Sequence, residues 1–185
     1  MKHLFISFCT FLLPFSCCAF ESLAQVRTSN GLELIVFGES GGASLKSGER
    51  IVYTFVSTNR WTLVVPKSEY FCAARLTTTN GTRIPETRLG ESLGKDFFRL
   101  NDFSRDLVER SLSHPAQLQK LTVNGTNGSG GSFWHRPNEM FQVTRAGSNV
   151  LELRVQVFGR NVGVSSTNYT VERFPLIKIP VDAMK

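Results

Sequence analysis

The side chains that could act as nucleophile, base or metal ligand are few here, and their spacing gives them little joint chemistry. The chain holds four cysteines (Cys9, Cys17, Cys18, Cys72) and three histidines (His3, His114, His135). A thiolate nucleophile needs a base beside it. Cys72 with His114 or His135 is therefore the pairing that would support thiol or hydrolytic chemistry, since such partners need meet only in the fold. No local signature accompanies either pairing. Cys72 stands in the apolar run Tyr70-Phe71-Cys72-Ala73-Ala74, where a thiol is expected to serve as a small buried hydrophobe. Neither His114 nor His135 has a second ligand at metal-binding spacing. No Gly-x-Ser-x-Gly elbow presents a serine. Asp102 and Asp106 lie four apart, but Arg105, Glu109 and Arg110 surround them, the pattern of a solvated, salt-bridged helix face. No catalytic residue, cofactor or metal ligand is assigned on these grounds, and an enzyme is the weaker reading.

Phe133-Trp134-His135-Arg136 is the candidate ligand-binding segment. A tryptophan beside a cation can stack on a sugar ring or anchor a partner's apolar patch. The competing role for Phe133 and Trp134 is to plug one end of the core, because large aromatics are usually well buried. Four Asn-X-Ser/Thr triplets begin at Asn80, Asn124, Asn127 and Asn168. They are glycan acceptors in a eukaryotic secreted chain. Three of them contain Asn-Gly, which turns favour on their own account.

The amino terminus bears on all of this. Lys2 precedes an apolar run from Leu4 to Phe15, and small residues follow, the layout of a secretory leader. The run is too short for a bilayer, which takes roughly 20 apolar residues, so no transmembrane anchor is expected after cleavage. A cut after Ala24, with Ser22 as the other small residue, is preferred; a cut after Ala19, with Cys17, is the alternative. Lipid modification of a leader cysteine is the rival to both, although Pro14-Phe15-Ser16 before Cys17 lacks the usual aliphatic residue. Cleavage removes Cys9, Cys17 and Cys18, leaving Cys72 alone, so no internal disulfide is expected. A chain this long buries about two-thirds of its unfolded surface without such staples. The location implied is secreted or periplasmic. The formal net charge is +6, with the arginines scattered beside acids. Attraction to anionic surfaces or glycans suits that pattern, and nucleic acid is not expected as a partner.

The elements that would position these residues are mostly strands. Residues 32–37, 50–57, 61–65 and 71–78 are rich in β-branched and aromatic side chains, as strands are. A turn is expected at Asn59, and a type I′ hairpin turn at Asn80-Gly81. Residues 39–48 read as a Gly/Ser-rich loop. Phe103, Leu107, Val108 and Leu112 have helical spacing, with a second helical turn over residues 115–121. The run 124–132 offers no side chain suited to a core and reads as a flexible loop. Residues 150–158 alternate, with Leu151, Leu153, Val155 and Val157 on one face and Glu152, Arg154 and Gln156 on the other. Residues 169–181 form a closing strand interrupted by Pro175 and Pro180.

Phe141-Gln142-Val143-Thr144-Arg145-Ala146-Gly147, followed by the long alternating strand, resembles the closing hairpin of immunoglobulin-like sandwiches in exported bacterial proteins. The resemblance covers about a third of the chain and carries no functional residues. The expected fold is mainly β: one antiparallel immunoglobulin-like β-sandwich domain over residues 25–185, with a helical insertion at about residues 102–121. The expected function is an exported, non-enzymatic binding or accessory module that meets an unknown protein or glycan through its loops. The alternatives are the Cys72 enzyme and a structural or inhibitory subunit that pairs through a strand edge.

Overall fold

The computed structural model describes residues 21–66, 72–91, 118–132, 136–143, 148–163 and 168–182. Among the described residues nine strands form one large sheet, nearly barrel-shaped. In chain order they are β1 (Ser22–Arg27), β2 (Glu33–Gly38), β3 (Leu45–Lys46), β4 (Ile51–Pro66), β5 (Cys72–Thr78), β6 (Leu118–Ser132), β7 (Asn149–Asn161), β8 (Thr170–Arg173) and β9 (Ile177–Asp182). A short helix, α1 (Pro137–Met140), follows β6, and residues 88–91 are helical. The main path runs β1-β2-β4-β7-β9-β3; β6 joins on β4, and β5 and β8 on β7. Among the described residues every strand pair is antiparallel except β3–β9, which is parallel and departs from the expected all-antiparallel pattern. The path curls until β1 meets β9 and β2 meets β3.

Two long strands make that curl possible. The first part of β7 pairs with β5 and β9, and its end pairs with β8 and β4. The first part of β4 lies on β2, and its end lies on β7. Leu151, Leu153, Val155 and Val157 of β7 are all buried, as the alternation requires. They share a core with Leu34 and Val36 of β2, Phe55, Trp61 and Leu63 of β4, and Ile177, Ile179 and Val181 of β9. The Phe55 and Phe174 rings meet at 5.9 Å, and Tyr53 abuts Phe55 edge-on at 5.5 Å. Such pairs add about 0.5–1.5 kcal/mol beyond their buried area.

Four local expectations are corrected. The turn at Asn59 is an irregularity inside one 16-residue strand. Phe55 faces Ser129, Ser57 faces Gly125 and Trp61 faces Val123, so first β6 and then β4 carries extra residues. Such bulges bend a strand without ending it, which carries β4 from β2 to β7. The helical turn over 115–121 fails where it is described, since Leu118–Leu121 are the start of β6. Leu121 and Val123 point into the core with Lys120 and Thr122 outward, the strand period of two. The flexible loop at 124–132 is the rest of β6, laddered to β4 through Ser132↔Val52, Gly131↔Tyr53, Gly130↔Thr54 and Ser129↔Phe55. Its glycines reflect close approach: a Cβ on Gly128 would stand 2.6 Å from Phe55 O and 2.8 Å from Val56 Cγ1. The closing strand is two strands, with residues 174–176 between them. Pro175 stands where the chain leaves the end of β7 for its beginning.

The hairpin at Asn80-Gly81 exists with different turn chemistry. Only Gly81 has positive φ (82°), so the turn is not type I′, which needs it at both residues. Gly81 N–H donates to Thr78 O (2.9 Å), and Thr78 N–H to Thr82 O (2.8 Å). That is a three-residue connection with glycine in the left-handed position. Thr28-Ser29-Asn30-Gly31-Leu32 repeats it between β1 and β2, with Gly31 at φ 84° and Gly31 N–H donating to Thr28 O (3.1 Å). In both turns the threonine Oγ1 accepts the N–H four residues on, at 3.2 Å. Ser22–Ala24, expected in the leader, are the first half of β1. Residues 102–117 of the expected helical insertion at about 102–121, with Asp102 and Asp106, lie outside the described residues, as do residues 1–20, where the leader is expected.

Candidate functional site

Of the four candidate residues, Arg136 is placed; Phe133, Trp134 and His135 lie outside the described residues. Arg136 is extended (φ −92°, ψ 153°) and precedes α1, where Pro137 at the first helical position has the φ a helix needs. The Glu139 carboxylate accepts both the Arg136 backbone N–H and its Nη1, each at 3.0 Å. The side chains are about a third exposed, 34% and 37%, so this pair is worth under about 1 kcal/mol. Its effect is positional: the guanidinium is held beside the helix start.

Three connecting segments, one of them carrying the two-residue β3, converge there. Asn138 N–H donates to Ser47 O (2.9 Å), fastening α1 to the 39–50 loop. Thr87 N–H donates to Met140 O (2.9 Å) and Gln142 N–H to Pro85 O (2.8 Å), fastening α1 to residues 84–91. Glu86 and Phe141 form a β-bridge, and Thr87 Oγ1 donates to Glu139 O. A Cβ on Gly90 would overlap the Met140 carbonyl, so the segments touch backbone to backbone. Leu89, on the helical residues, is 42% exposed.

The 39–50 loop is itself held by a buried carboxylate. Burial of Glu49 disfavours its charge, but hydrogen bonds from Ser40 and the Lys46 N–H (3.1 Å) outweigh that and lower its pKa below the usual 4.5. Ser47 N–H donates to Asp182 O (2.9 Å), and Ser44 Oγ to the Asp182 carboxylate, tying the loop to the end of β9. The Gly/Ser-rich loop of the sequence reading is thus pinned at both flanks.

Cys72 opens β5 opposite Val155; its side chain lies outside what is described, as does His114. The thiol–histidine pairings are therefore not brought together by any described contact. Among the described residues no group of three or more His, Cys, Asp or Glu side chains could hold a metal ion, and no helix is long and apolar enough to cross a membrane.

Three arrangements have no local signature in the sequence because each depends on how the strands pair. Glu152 lies between Arg75 on β5 and Lys178 on β9, accepting from Arg75 Nε at 2.9 Å with Lys178 Nζ at 3.6 Å. The Arg75 hydrogen bond leads the causes that lower its pKa. Glu172 is buried and accepts from Asn30 Nδ2 (2.8 Å) and Thr170 Oγ1 (2.9 Å), binding the β1–β2 turn to β8. Phe158 and Tyr169 stack at 5.4 Å, nearly parallel (8°), with Arg160 Cζ 5.6 Å from the Tyr169 centroid. Only the opposite charges at 75, 152 and 178 left any trace in the sequence, and pairing them required the strand register.

Compared with models of protein families, with curated proteins and with solved structures, the chain gives no match.

Proposed function

We propose that the protein is an exported, non-enzymatic binding module that engages a protein or glycan through the surface around residues 133–136. The observation that carries this reading is the convergence of the 39–50 loop, residues 84–91 and α1 beside Arg136. Backbone hydrogen bonds from α1 and the residues after it to each of the other two segments pre-organise the surface, and a pre-organised surface loses less entropy on binding. Arg136, about a third exposed, and exposed Leu89 give it a cation and an apolar contact. The finer architecture proposed is a two-layer, immunoglobulin-like sandwich with β7 shared between the layers; the common core of β2, β4, β7 and β9 supports it. Export to the periplasm or medium rests on the leader-like first residues.

The test is capture of ligands by the immobilised exported protein from a native envelope fraction and from a glycan array. Trp134→Ala and Arg136→Ala are expected to weaken retention roughly 5- to 30-fold, the scale of one lost anchor. Retention unchanged in both variants overturns the assignment of the surface. Turnover of a substrate, lost on mutating one titratable residue, overturns the non-enzymatic reading.

A second reading, pairing through a strand edge, draws on β6. Among the described residues this 15-residue strand is laddered by β4 alone, and Gly128, Gly130 and Gly131 are exposed without side chains that would guard an edge. Light scattering across concentration tests it: a constant monomer mass, with no strand-like partner in the capture experiment, removes it.

A further inference from the structure

The sequence offers two cleavage points that satisfy the small-x-small rule, Cys17-Cys18-Ala19 and Ser22-Leu23-Ala24. The fold distinguishes them. β1 begins at Ser22 and pairs with β2 through Ser22↔Phe37, Ala24↔Val36, Gln25↔Ile35, Val26↔Leu34 and Arg27↔Glu33. Glu21 N–H continues the attachment by donating to Gly41 O (3.2 Å). Leu23, Ala24 and Val26 pack against the core, next to Leu34 and Val36, each 1% exposed. A cut after Ala24 would remove Ser22, Leu23 and Ala24, half of a six-residue strand. It would also uncover the edge of β2 and set a new ammonium group on Gln25 inside the remaining ladder. A cut after Ala19 leaves every described contact of β1 in place.

We propose that the leader is removed between Ala19 and Phe20, so that the exported protein begins at Phe20 and keeps β1 whole. This rests on the export reading above. The step is hydrolysis by a membrane signal endopeptidase: the Ala19–Phe20 amide breaks, water supplies the oxygen of the new Ala19 carboxylate, and the Phe20 nitrogen becomes the new amino terminus. Lys2 leaves with the leader and Glu21 stays, so the formal charge falls from +6 to +5 (21 − 1 basic against 15 acidic residues). A cut after Ala24 removes Lys2 and Glu21 together and leaves +6.

The full-length chain, expressed in a host with an export pathway and recovered outside the cytoplasm, is analysed by intact mass and amino-terminal sequencing. A start at Phe20 is expected. Ala19→Leu is expected to abolish that start, because a large residue replaces the small one before the cut. Ser22→Leu, at an exposed position, is expected to leave it unchanged. A start at Gln25, or a start moved by Ser22→Leu, overturns the proposal while export stands. A lipid mass on Cys17 or Cys18 overturns it too. A chain kept inside the cell with its leader intact overturns the export reading and the proposal with it.

Discussion

Replacing Gly130 by alanine turns the contrast between a flexible loop and a closely laddered strand into a change of sign. If residues 124–132 were a flexible loop, Gly130→Ala would be neutral or would stabilise the fold by about 0.4–1 kcal/mol, by restricting the unfolded chain. In the structure Gly130 sits opposite Thr54 in the β6–β4 ladder. An added Cβ would overlap Tyr53 O and stand 2.9 Å from Thr54 Cα and 3.0 Å from Tyr53 C, all backbone atoms of a strand buried in the sheet. Backbone cannot rotate away as a side chain can, so β6 must lift locally. Overpacking of this kind costs about 1–3 kcal/mol, and one weakened ladder bond adds about 0.5–1.5 kcal/mol. Less the entropic gain, the net destabilisation is roughly 0.5–4 kcal/mol, a fall in Tm of about 1–16 °C for a chain of this size. Gly131→Ala is the internal control. Its Cβ would meet the far end of the Tyr53 side chain, the hydroxyl at 2.9 Å, which can move aside. Urea unfolding of the two variants beside wild type reads the result. A Gly130→Ala midpoint equal to or above wild type, or equal losses in both variants, refutes the account of β6.

Glu49→Gln is expected to destabilise the 39–50 loop by about 1–2 kcal/mol near neutral pH, since a carboxylate that accepts several hydrogen bonds is replaced by a weaker acceptor. The folded-state pKa is lowered, so the wild-type advantage is fully present above the ordinary carboxylate range and disappears as pH falls through the lowered value; denaturant titrations at several pH values check it, and a difference that is flat with pH is the contrary result. Arg75→Ala and Lys178→Ala should each cost under about 1 kcal/mol, because both cations are more than half exposed. The double variant should cost more than the sum, since Glu152 then keeps neither described cation, and simple additivity in a double-mutant cycle argues against the triad. Phe55→Ala should cost about 3–5 kcal/mol by thermal or urea unfolding, as Phe55 is fully buried against Phe174 and Tyr53; a loss below about 1 kcal/mol contradicts the placement of the core.

What residue type and period alone determined is the β class of the described chain and the buried face of residues 150–158. The alternation of residues 150–158 reappears in β7 because a two-residue period has a single way to bury Leu151, Leu153, Val155 and Val157 together. Asn80-Gly81 marked a real turn, since glycine adopts positive φ at no steric cost. The same pair at Asn30-Gly31 closes the turn between β1 and β2, again with glycine at positive φ. Of the candidate site, the sequence singled out Arg136, but not the 39–50 and 84–91 segments that hold it, because backbone hydrogen bonds such as Asn138 to Ser47 carry no side-chain signature. Tertiary structure alone decided the rest. Glycine-rich residues 124–132 are strand because β4 lies against them and leaves room for nothing larger. Asn59 bends a strand without ending it, because β6 and β7 continue the ladder beyond it. The Arg75–Glu152–Lys178 charges meet only through the register of three strands. In each case the deciding contact joins residues far apart in the chain, and local propensity contains no term for it.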